Sequence, residues 1–226
     1  STGRNRTILM DGPVKSGENK EEGMDLKEYL QQEEFVVKCE CGISLMNAKL
    51  QIINAELGMR FGRKVIHNMS SRIKSYDSIA GKLKRKGLPE TIESVSEHIN
   101  DMVGVRAVCT YTDDLYQIAE MLCAQKDMRL LKEKDYIKKP KKSGYRSMHL
   151  IFRVPISFQS EVHWIKIEVQ LRTSAMDYWA GLDYQLQYKK ENREAKNIGR
   201  ELKEYANAIQ QIDSKVLELR KWIEAI

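Results

Sequence analysis

The chain has 226 residues with 38 Lys+Arg against 32 Asp+Glu, a formal net charge of +6, and it is 42% hydrophobic and 31% charged. That length and apolar fraction allow one domain with a real core, and they exclude a chain disordered over most of its length. No apolar run is long enough to span a membrane, no leader-like segment is visible, and four cysteines do not make a disulfide framework; a soluble, cytoplasmic protein is expected, and a pI near 9.0 points to a polyanionic partner such as a nucleotide, a nucleic acid or an acidic surface.

In chain order, residues 1–23 are polar and lack apolar periodicity, and they read as a flexible tail. From Asp25 to Met59, Leu26, Tyr29, Leu30, Leu45, Met46, Leu50, Ile53 and Leu57 recur near helical spacing, which predicts one long helix or two consecutive ones. Residues 63–86 then hold eight basic residues against the single acid Asp77. Within them Arg72 and Lys74 stand two apart, and a helix over 77–87 would align Ser78, Lys82 and Arg85 in one stripe and Ile79 and Leu83 in another. The centre predicts strands at 103–111, 128–137, 146–158 and 162–173, with an amphipathic helix at 113–125 and a turn at 158–161. A second basic cluster runs from Lys134 to Arg146. Helices without proline are expected at 174–190 and 195–225. Helices, a β-rich centre with one crossover helix, then helices again describe a mixed sheet covered by helices.

Alternation assigns faces. Ile165, Ile167, Val169 and Leu171 point one way and Lys166, Glu168, Gln170 and Arg172 the other, while Tyr145, Ser147 and His149 share a face opposite Arg146, Met148 and Leu150. An ordinary half-exposed sheet would look the same. If the polar faces converge, however, they bring together guanidinium and ammonium donors, one or two carboxylates and an aromatic ring, the parts for holding a nucleotide polyphosphate. Neither a GxxxxGK[ST] loop nor GxGxxG occurs. Cys39-Glu-Cys41 lacks further metal ligands at zinc spacing, and Cys109 and Cys123 sit in apolar segments that predict buried thiols. No nucleophile–base constellation stands out, so phosphate chemistry by positioning and electrostatics fits what is left.

Four ordered motifs over residues 70–190 resemble the synthetase domain of RelA/SpoT-type alarmone synthetases. Arg72-Ile-Lys74-Ser-Tyr-Asp-Ser78-Ile-Ala-Gly-Lys82-Leu-Lys-Arg85 is similar to their R-x-K-x3-S-x3-K-x2-R stretch, and Asp101-Met-Val-Gly-Val-Arg106 to a second motif. Asp135 to His149, with Gly144-Tyr145-Arg-Ser147, resembles a loop and strand, and Glu168-Val-Gln170-Leu-Arg172-Thr173 with Met176 and Trp179-Ala180 resembles the last block. The resemblance implies an α+β fold, a mixed sheet of about five strands flanked by helices and related to nucleotidyltransferases. It implies a tail at 1–23 and one synthetase domain at 24–226, divided into N-terminal helices at 24–62, a catalytic core at 63–190 and a C-terminal helix at 191–226. It also implies transfer of pyrophosphate from ATP to the 3′-hydroxyl of GDP or GTP with Mg²⁺, in a small synthetase that assembles as a homotetramer through its terminal helices. The hydrolase domain of long members carries a His-Asp motif, and no His-Asp dipeptide occurs here.

By the same resemblance, Arg72 and Arg106 would bracket adenine, and Lys74, Ser78, Lys82 and Arg85 would hold the ATP phosphates. Asp101 would ligate Mg²⁺, and Glu168 would act on the 3′-hydroxyl as general base or as a further metal contact. Tyr145 would stack on guanine, with His149 and Gln170 near the acceptor. Simple alternation puts Asp101 and Arg106 on opposite faces of one strand, so Asp101 is expected at a helix–strand junction or beside a bulge. Ser143, Asp183 and Tyr184 depart from the usual Asn, Glu and His of the family and bear on acceptor preference. Two other readings keep part of this picture: a toxin that modifies tRNA 3′ ends or makes adenosine alarmones, and a non-catalytic nucleotide- or RNA-binding module.

Overall fold

The central alternation becomes a five-stranded sheet of order β1-β2-β5-β4-β3 in the computed structural model, which describes residues 24–187 and 195–226. The strands are β1 (Ile66–Ile73), β2 (Val103–Cys109), β3 (Arg129–Asp135), β4 (Met148–Phe158) and β5 (Glu161–Thr173). Neighbours run antiparallel except β2 and β5, so the sheet is mixed. β4 and β5 form a hairpin closed by Gln159 and Ser160, whose φ values of 49° and 67° suit a two-residue turn that follows the twist of the strands. The expected tail at 1–23, and residues 188–190 at the end of the helix expected over 174–190, lie outside the described residues.

Seven helices are described: α1 (Leu26–Gln31), α2 (Glu33–Phe61), α3 (Tyr76–Lys86), α4 (Ile92–His98), α5 (Thr112–Cys123), α6 (Ser174–Gln187) and α7 (Ala195–Glu224). The N-terminal periodicity is two helices, broken at Gln32, which is extended at φ −60° and ψ 132°. α2 and α5 cover one face of the sheet. Met46, Leu50, Ile53 and Leu57 from α2 and Leu115, Ile118 and Leu122 from α5 bury against Val103, Val105, Leu150, Phe152, Ile167, Val169 and Leu171. Gly42 permits the close approach of α2, since a Cβ there would stand 3.2 Å from Ile165 and Ile167. A smaller core joins Leu26, Leu30, Ile79, Leu83, Val95 and Ile99, and so fixes α3 and α4 at one end of the sheet.

Several features differ from the sequence reading. α4 has one turn's worth of apolar residues, too few to show a period, and is set by its Thr91 cap, which accepts the Ser94 N–H at 3.2 Å. Residues 66–70 of β1 show no apolar alternation because β1 is an edge strand, mostly exposed. β4 starts at Met148, so Tyr145 and Arg146 lie in the preceding loop rather than on the strand. Cys123, expected to be buried, is exposed at the end of α5, whereas Cys109 is buried as expected.

Candidate active site

The face turned away from α2 and α5 carries the polar side chains, and the register aligns them across strands. Arg72 pairs with Gly104, Gly104 with Glu168, Arg106 with Gln170, Gln170 with His149, and His149 with Lys134. In-register partners share a face, so residues from all five strands meet on one surface. Asp101 lies between α4 and β2, at the helix–strand junction that alternation requires.

Asp101 is clamped by two ammonium groups. Lys74 Nζ donates to Oδ2 at 2.6 Å and Lys82 Nζ to Oδ1 at 2.7 Å. Burial by itself would raise the Asp101 pKa, but the two lysines outweigh it and hold the carboxyl down at about 2. The helix that supplies Lys82 is capped by Ser75, which accepts the Ser78 N–H and donates its hydroxyl to Ser78 Oγ at 3.0 Å. Arg72, Ser78 and Arg85 are exposed beside this clamp, and neither arginine has an ion-pair partner among the described residues. Arg106 is half-buried, with Nη1 3.2 Å from Asp177. Burial and the neighbouring Arg172 guanidinium lower its pKa.

Glu168 stands at the end of a relay. Its side chain is only 9% exposed, which is not the solvated position an ordinary half-exposed sheet would give it. His149 Nδ1 lies 3.0 Å from Oε1, and Gln170 Nε2 donates to Oε2 at 2.8 Å. His149 Nε2 lies 2.8 Å from the Tyr145 hydroxyl, which accepts from Arg172 Nη2 at 2.7 Å. A single tautomer satisfies the chain: the Tyr145 hydroxyl donates to Nε2, and Nδ1–H donates to Glu168. Arg172 also donates to Gln170 Oε1 at 3.1 Å and to Asp177 Oδ1 at 2.8 Å. Burial pushes the Glu168 carboxyl up, yet the hydrogen bonds from His149 and Gln170 outweigh it and leave it below its usual value, hence charged.

The Tyr145 ring is shared with cations. Lys141 Nζ sits 4.6 Å from its centroid and 4.8 Å from that of Tyr136, and the Arg172 guanidinium is 5.2 Å away. Behind it, Gly144 has φ +94°, and a Cβ there would come within 2.5 Å of Ala206 on α7. α7 is held by Trp179 Nε1, which donates to the Leu202 carbonyl at 2.8 Å, by Arg146 on Gln210 at 2.6 Å and by Thr173 on Asp213 at 2.6 Å. Arg220 pairs with Asp113 at its far end.

All eleven residues singled out from the sequence therefore lie on or beside one face, in two groups: Arg72, Lys74, Ser78, Lys82, Arg85, Asp101 and Arg106 toward β1 and α3, and Tyr145, His149, Glu168 and Gln170 on β4–β5 and the loop before them. The sequence reading gave no role to Arg172, Asp177, Lys141 or Lys134. Arg172 shares the alternation of Glu168 and Gln170, and Lys134 and Lys141 belong to the second basic cluster, so a signal existed for these three. Asp177 had none, because it reaches Arg106 and Arg172 only through the turn from β5 into α6. Among the described residues no three His, Cys, Asp or Glu side chains converge as a metal cage. Mg²⁺ typically takes one or two carboxylates plus substrate phosphates. Asp101 and Glu168, close enough for each other's charge to be felt and both deprotonated at neutral pH, fit that donor set.

A mixed sheet whose open face joins two carboxylates, a cluster of lysines and arginines and a tyrosine–histidine pair defines a protein that handles nucleotide phosphates. The chain belongs to the RelA/SpoT family: residues 71–193 match the model described as the region found in RelA / SpoT proteins. It is 39% identical to GTP pyrophosphokinase YwaC of Bacillus subtilis over 80% of this chain and 87% of that protein. Among solved structures it resembles the small alarmone synthetase 2 of Bacillus subtilis, with a TM-score of 0.74 and 37% identity over 84% of this chain and 99% of that one. It also resembles the small alarmone synthetase 1 of the same organism bound to its product pppGpp, with a TM-score of 0.77 and 30% identity over 86% and 98% of the two chains. The five-stranded mixed sheet with flanking helices is thus the small alarmone synthetase fold.

Proposed function

We propose that this protein transfers the β,γ-pyrophosphoryl group of ATP to the 3′-hydroxyl of GDP or GTP, giving (p)ppGpp and AMP. The observation that carries the reading is the position of Glu168, a charged and nearly buried carboxylate between two separate sets of nucleotide-binding groups. Arg72 and Arg106 bracket the adenine, a stacking task suited to planar guanidinium groups, and Lys74, Ser78, Lys82 and Arg85 hold the ATP phosphates. Tyr145 stacks on the guanine, with His149 and Gln170 at the acceptor. Glu168 takes the proton of the 3′-hydroxyl as that oxygen attacks the β-phosphorus; the bond from the β-phosphorus to the α,β-bridging oxygen breaks and AMP leaves. His149 and Gln170 fix the carboxylate by its two oxygens, so it meets the hydroxyl without reorganising. Asp101 and Glu168 would hold Mg²⁺, which when bound would offset charge on the transferred group.

Incubation with ATP, Mg²⁺ and GDP or GTP is expected to yield AMP and a 3′-pyrophosphorylated guanosine nucleotide in equal amounts. Release of inorganic phosphate from ATP with no labelled guanosine product would overturn the reading, and product on tRNA or on an adenosine nucleotide in its place would move it to the toxin-like activity. The sequence contains no His-Asp dipeptide, so we assign no alarmone hydrolysis to this chain.

We place the enzyme in the cytoplasm as a homotetramer joined by its terminal helices. Among the described residues no helix is long and apolar enough to cross a membrane. The outer side of α7 exposes Tyr205, Ile212 and Leu219 at seven-residue spacing, followed by Trp222, with Ile226 exposed just beyond its end, and α2 exposes Ile52 and Met59. Light scattering that returns a monomer mass at micromolar concentration would refute the assembly.

A further inference from the structure

The hydrogen bond from Arg172 to the Tyr145 hydroxyl has a second layer behind it. In each segment the next residue along the chain turns away from the site and toward α7: Thr173 after Arg172, and Arg146 after Tyr145. Thr173 Oγ1 donates to Asp213 Oδ2 on α7 at 2.6 Å and accepts the Met176 N–H at 3.1 Å. One hydroxyl therefore ties β5 to α7 and caps the first turn of α6. That turn carries Asp177, which holds Arg172 at 2.8 Å. In the other segment, Arg146 donates through Nη2 to Gln210, three residues before Asp213, and through Nη1 to the Ile137 carbonyl at 2.8 Å. Arg146 and Asp213 line one small cavity with Gly144 and Ala206, and their opposite charges act on each other.

Asp213 is a costly residue for a helix that needs only to be fastened. It is 8% exposed, beside a cluster of Trp179, Leu202 and Ala206 that already packs α7 against α6. A buried carboxylate stabilises such a contact no better than an apolar side chain of similar volume would. Burial raises its pKa, with the Thr173 hydrogen bond and the Arg146 charge acting the other way. What the carboxylate supplies is direction: one fixed acceptor for the Thr173 hydroxyl and one negative charge facing Arg146. Both residues are chain neighbours of groups in the relay, so a shift of either backbone moves Tyr145 against Arg172. The cost falls outside the site and the order appears inside it.

We infer that Asp213 is a positioning residue for the transfer, acting through Thr173 and Arg146 to hold Arg172 and Tyr145 where they keep His149 and Glu168 aimed at the acceptor hydroxyl. The inference rests on the pyrophosphoryl-transfer reading given above and adds to it a residue on the far side of both backbones from the nucleotides. The competing explanation is plain fastening of α7, of the kind made about two turns further on, where Arg220 pairs with Asp113.

The test measures kcat and KM for GTP at saturating ATP, the equilibrium affinity for a non-hydrolysable ATP analogue, and the melting temperature. It compares the parent chain with Asp213→Asn, Thr173→Val, Thr173→Ser and Arg220→Gln. Misplacement of the relay is expected to lower kcat/KM for GTP by about 10- to 100-fold in Asp213→Asn and Thr173→Val, with a much smaller fall in affinity for the ATP analogue. Thr173→Ser keeps the hydroxyl and should stay near the parent. Arg220→Gln should lower the melting temperature while kcat/KM for GTP stays within about twofold. An equal fall for both nucleotides, or an Arg220→Gln variant as impaired toward GTP as Asp213→Asn, reduces Asp213 to fastening and overturns the inference. So does a folded Asp213→Asn at the parent's kcat/KM, because any loss in Thr173→Val then belongs to the α6 cap. If Asp213→Asn does not fold, Asp213→Glu, which moves the carboxylate by one methylene, is read against the same outcomes. If the parent yields no 3′-product with any acceptor, the transfer reading has failed, and equilibrium affinity for GTP then decides Asp213. A loss in Asp213→Asn that Arg220→Gln does not share supports it, and equal affinities, or no binding by the parent, reject it.

Discussion

The two halves of the site are built in opposite ways. The half proposed for ATP comes from one stretch, Arg72 to Arg85, with Asp101 and Arg106 added; Arg72, Ser78 and Arg85 are exposed, and its ties are local ones, the Lys74–Asp101–Lys82 clamp and the pairing of Arg106 with Asp177. The half proposed for the acceptor is interlocked: Arg172, Tyr145, His149, Gln170 and Glu168 form a continuous hydrogen-bonded network backed by α6 and α7. The contrast divides the work. Exposed, unpaired cations can follow a flexible polyphosphate, while the groups that meet the reacting hydroxyl are held in place before it arrives, which lowers the entropic cost of reaching the transition state.

The sharpest way to break this comparison is Glu168→Gln. Glutamine keeps the size and can still accept from His149, and turning the Gln170 amide to accept from it gives up only the 3.1 Å bond from Arg172, so folding should survive. The charge and the proton acceptor are lost, and kcat is expected to fall by ~10²–10⁴. A steady-state rate within about tenfold of the parent, with an unchanged melting temperature, would leave the interlocked half without its chemical purpose.

Gly144→Ala probes the backing of that half. The new Cβ meets Ala206 at 2.5 Å and the backbone stays at φ +94°, so crowding and strain together should cost about 2–5 kcal/mol in urea denaturation. Adding Ala206→Gly removes the clash but leaves the strain, and should restore part of the loss. An additive pair would mean that the loop and α7 do not press on one another.

Tyr145→Ala should weaken the acceptor by ~1–3 kcal/mol, about 5- to 150-fold, and ATP by much less. Tyr145→Phe separates the ring from the relay: it keeps the stacking surface and removes the hydroxyl that joins Arg172 to His149, so KM for the acceptor should hold while kcat drops. If ATP binding falls in Tyr145→Ala and the acceptor is untouched, the two halves have been assigned the wrong way round.

The smallest effect belongs to the clamp. Asp101 is held at about 2 in the folded chain against 3.8 for a free side chain. Its carboxylate therefore contributes stability above about pH 4, and that contribution is lost as pH falls from there through 2. The loss should reach about 1–2 kcal/mol after allowance for partial exposure. Asp101→Asn should flatten this part of the curve of unfolding midpoint against pH; an identical curve for both chains would show that the clamp does not form.

Much of the first half was legible in the sequence. Ser78, Lys82 and Arg85 lie at helical spacing on α3, and the position of Asp101 at the junction of α4 and β2 followed from the conflict between its face and that of Arg106. The helices and strands with strong apolar periods were legible too, and so was the open face of β5. α4 and the first part of β1 were not, because a seven-residue helix and an exposed edge strand have no apolar period to display.

By itself, the sequence determined which residues share a face, since side-chain direction repeats every two residues in a strand and every 3.6 in a helix regardless of what lies around them. It also determined the family, through motifs whose spacing is local. Only the tertiary structure decided what those faces meet. The strand order β1-β2-β5-β4-β3 brings Arg106 beside Gln170 across 64 residues of chain, and the turn into α6 delivers Asp177 to both Arg106 and Arg172. The packing of Ala206 on Gly144 sets the loop that carries Tyr145. Hydrogen-bonded pairing between distant segments fixes these meetings, and no local period in the sequence records which segments will pair.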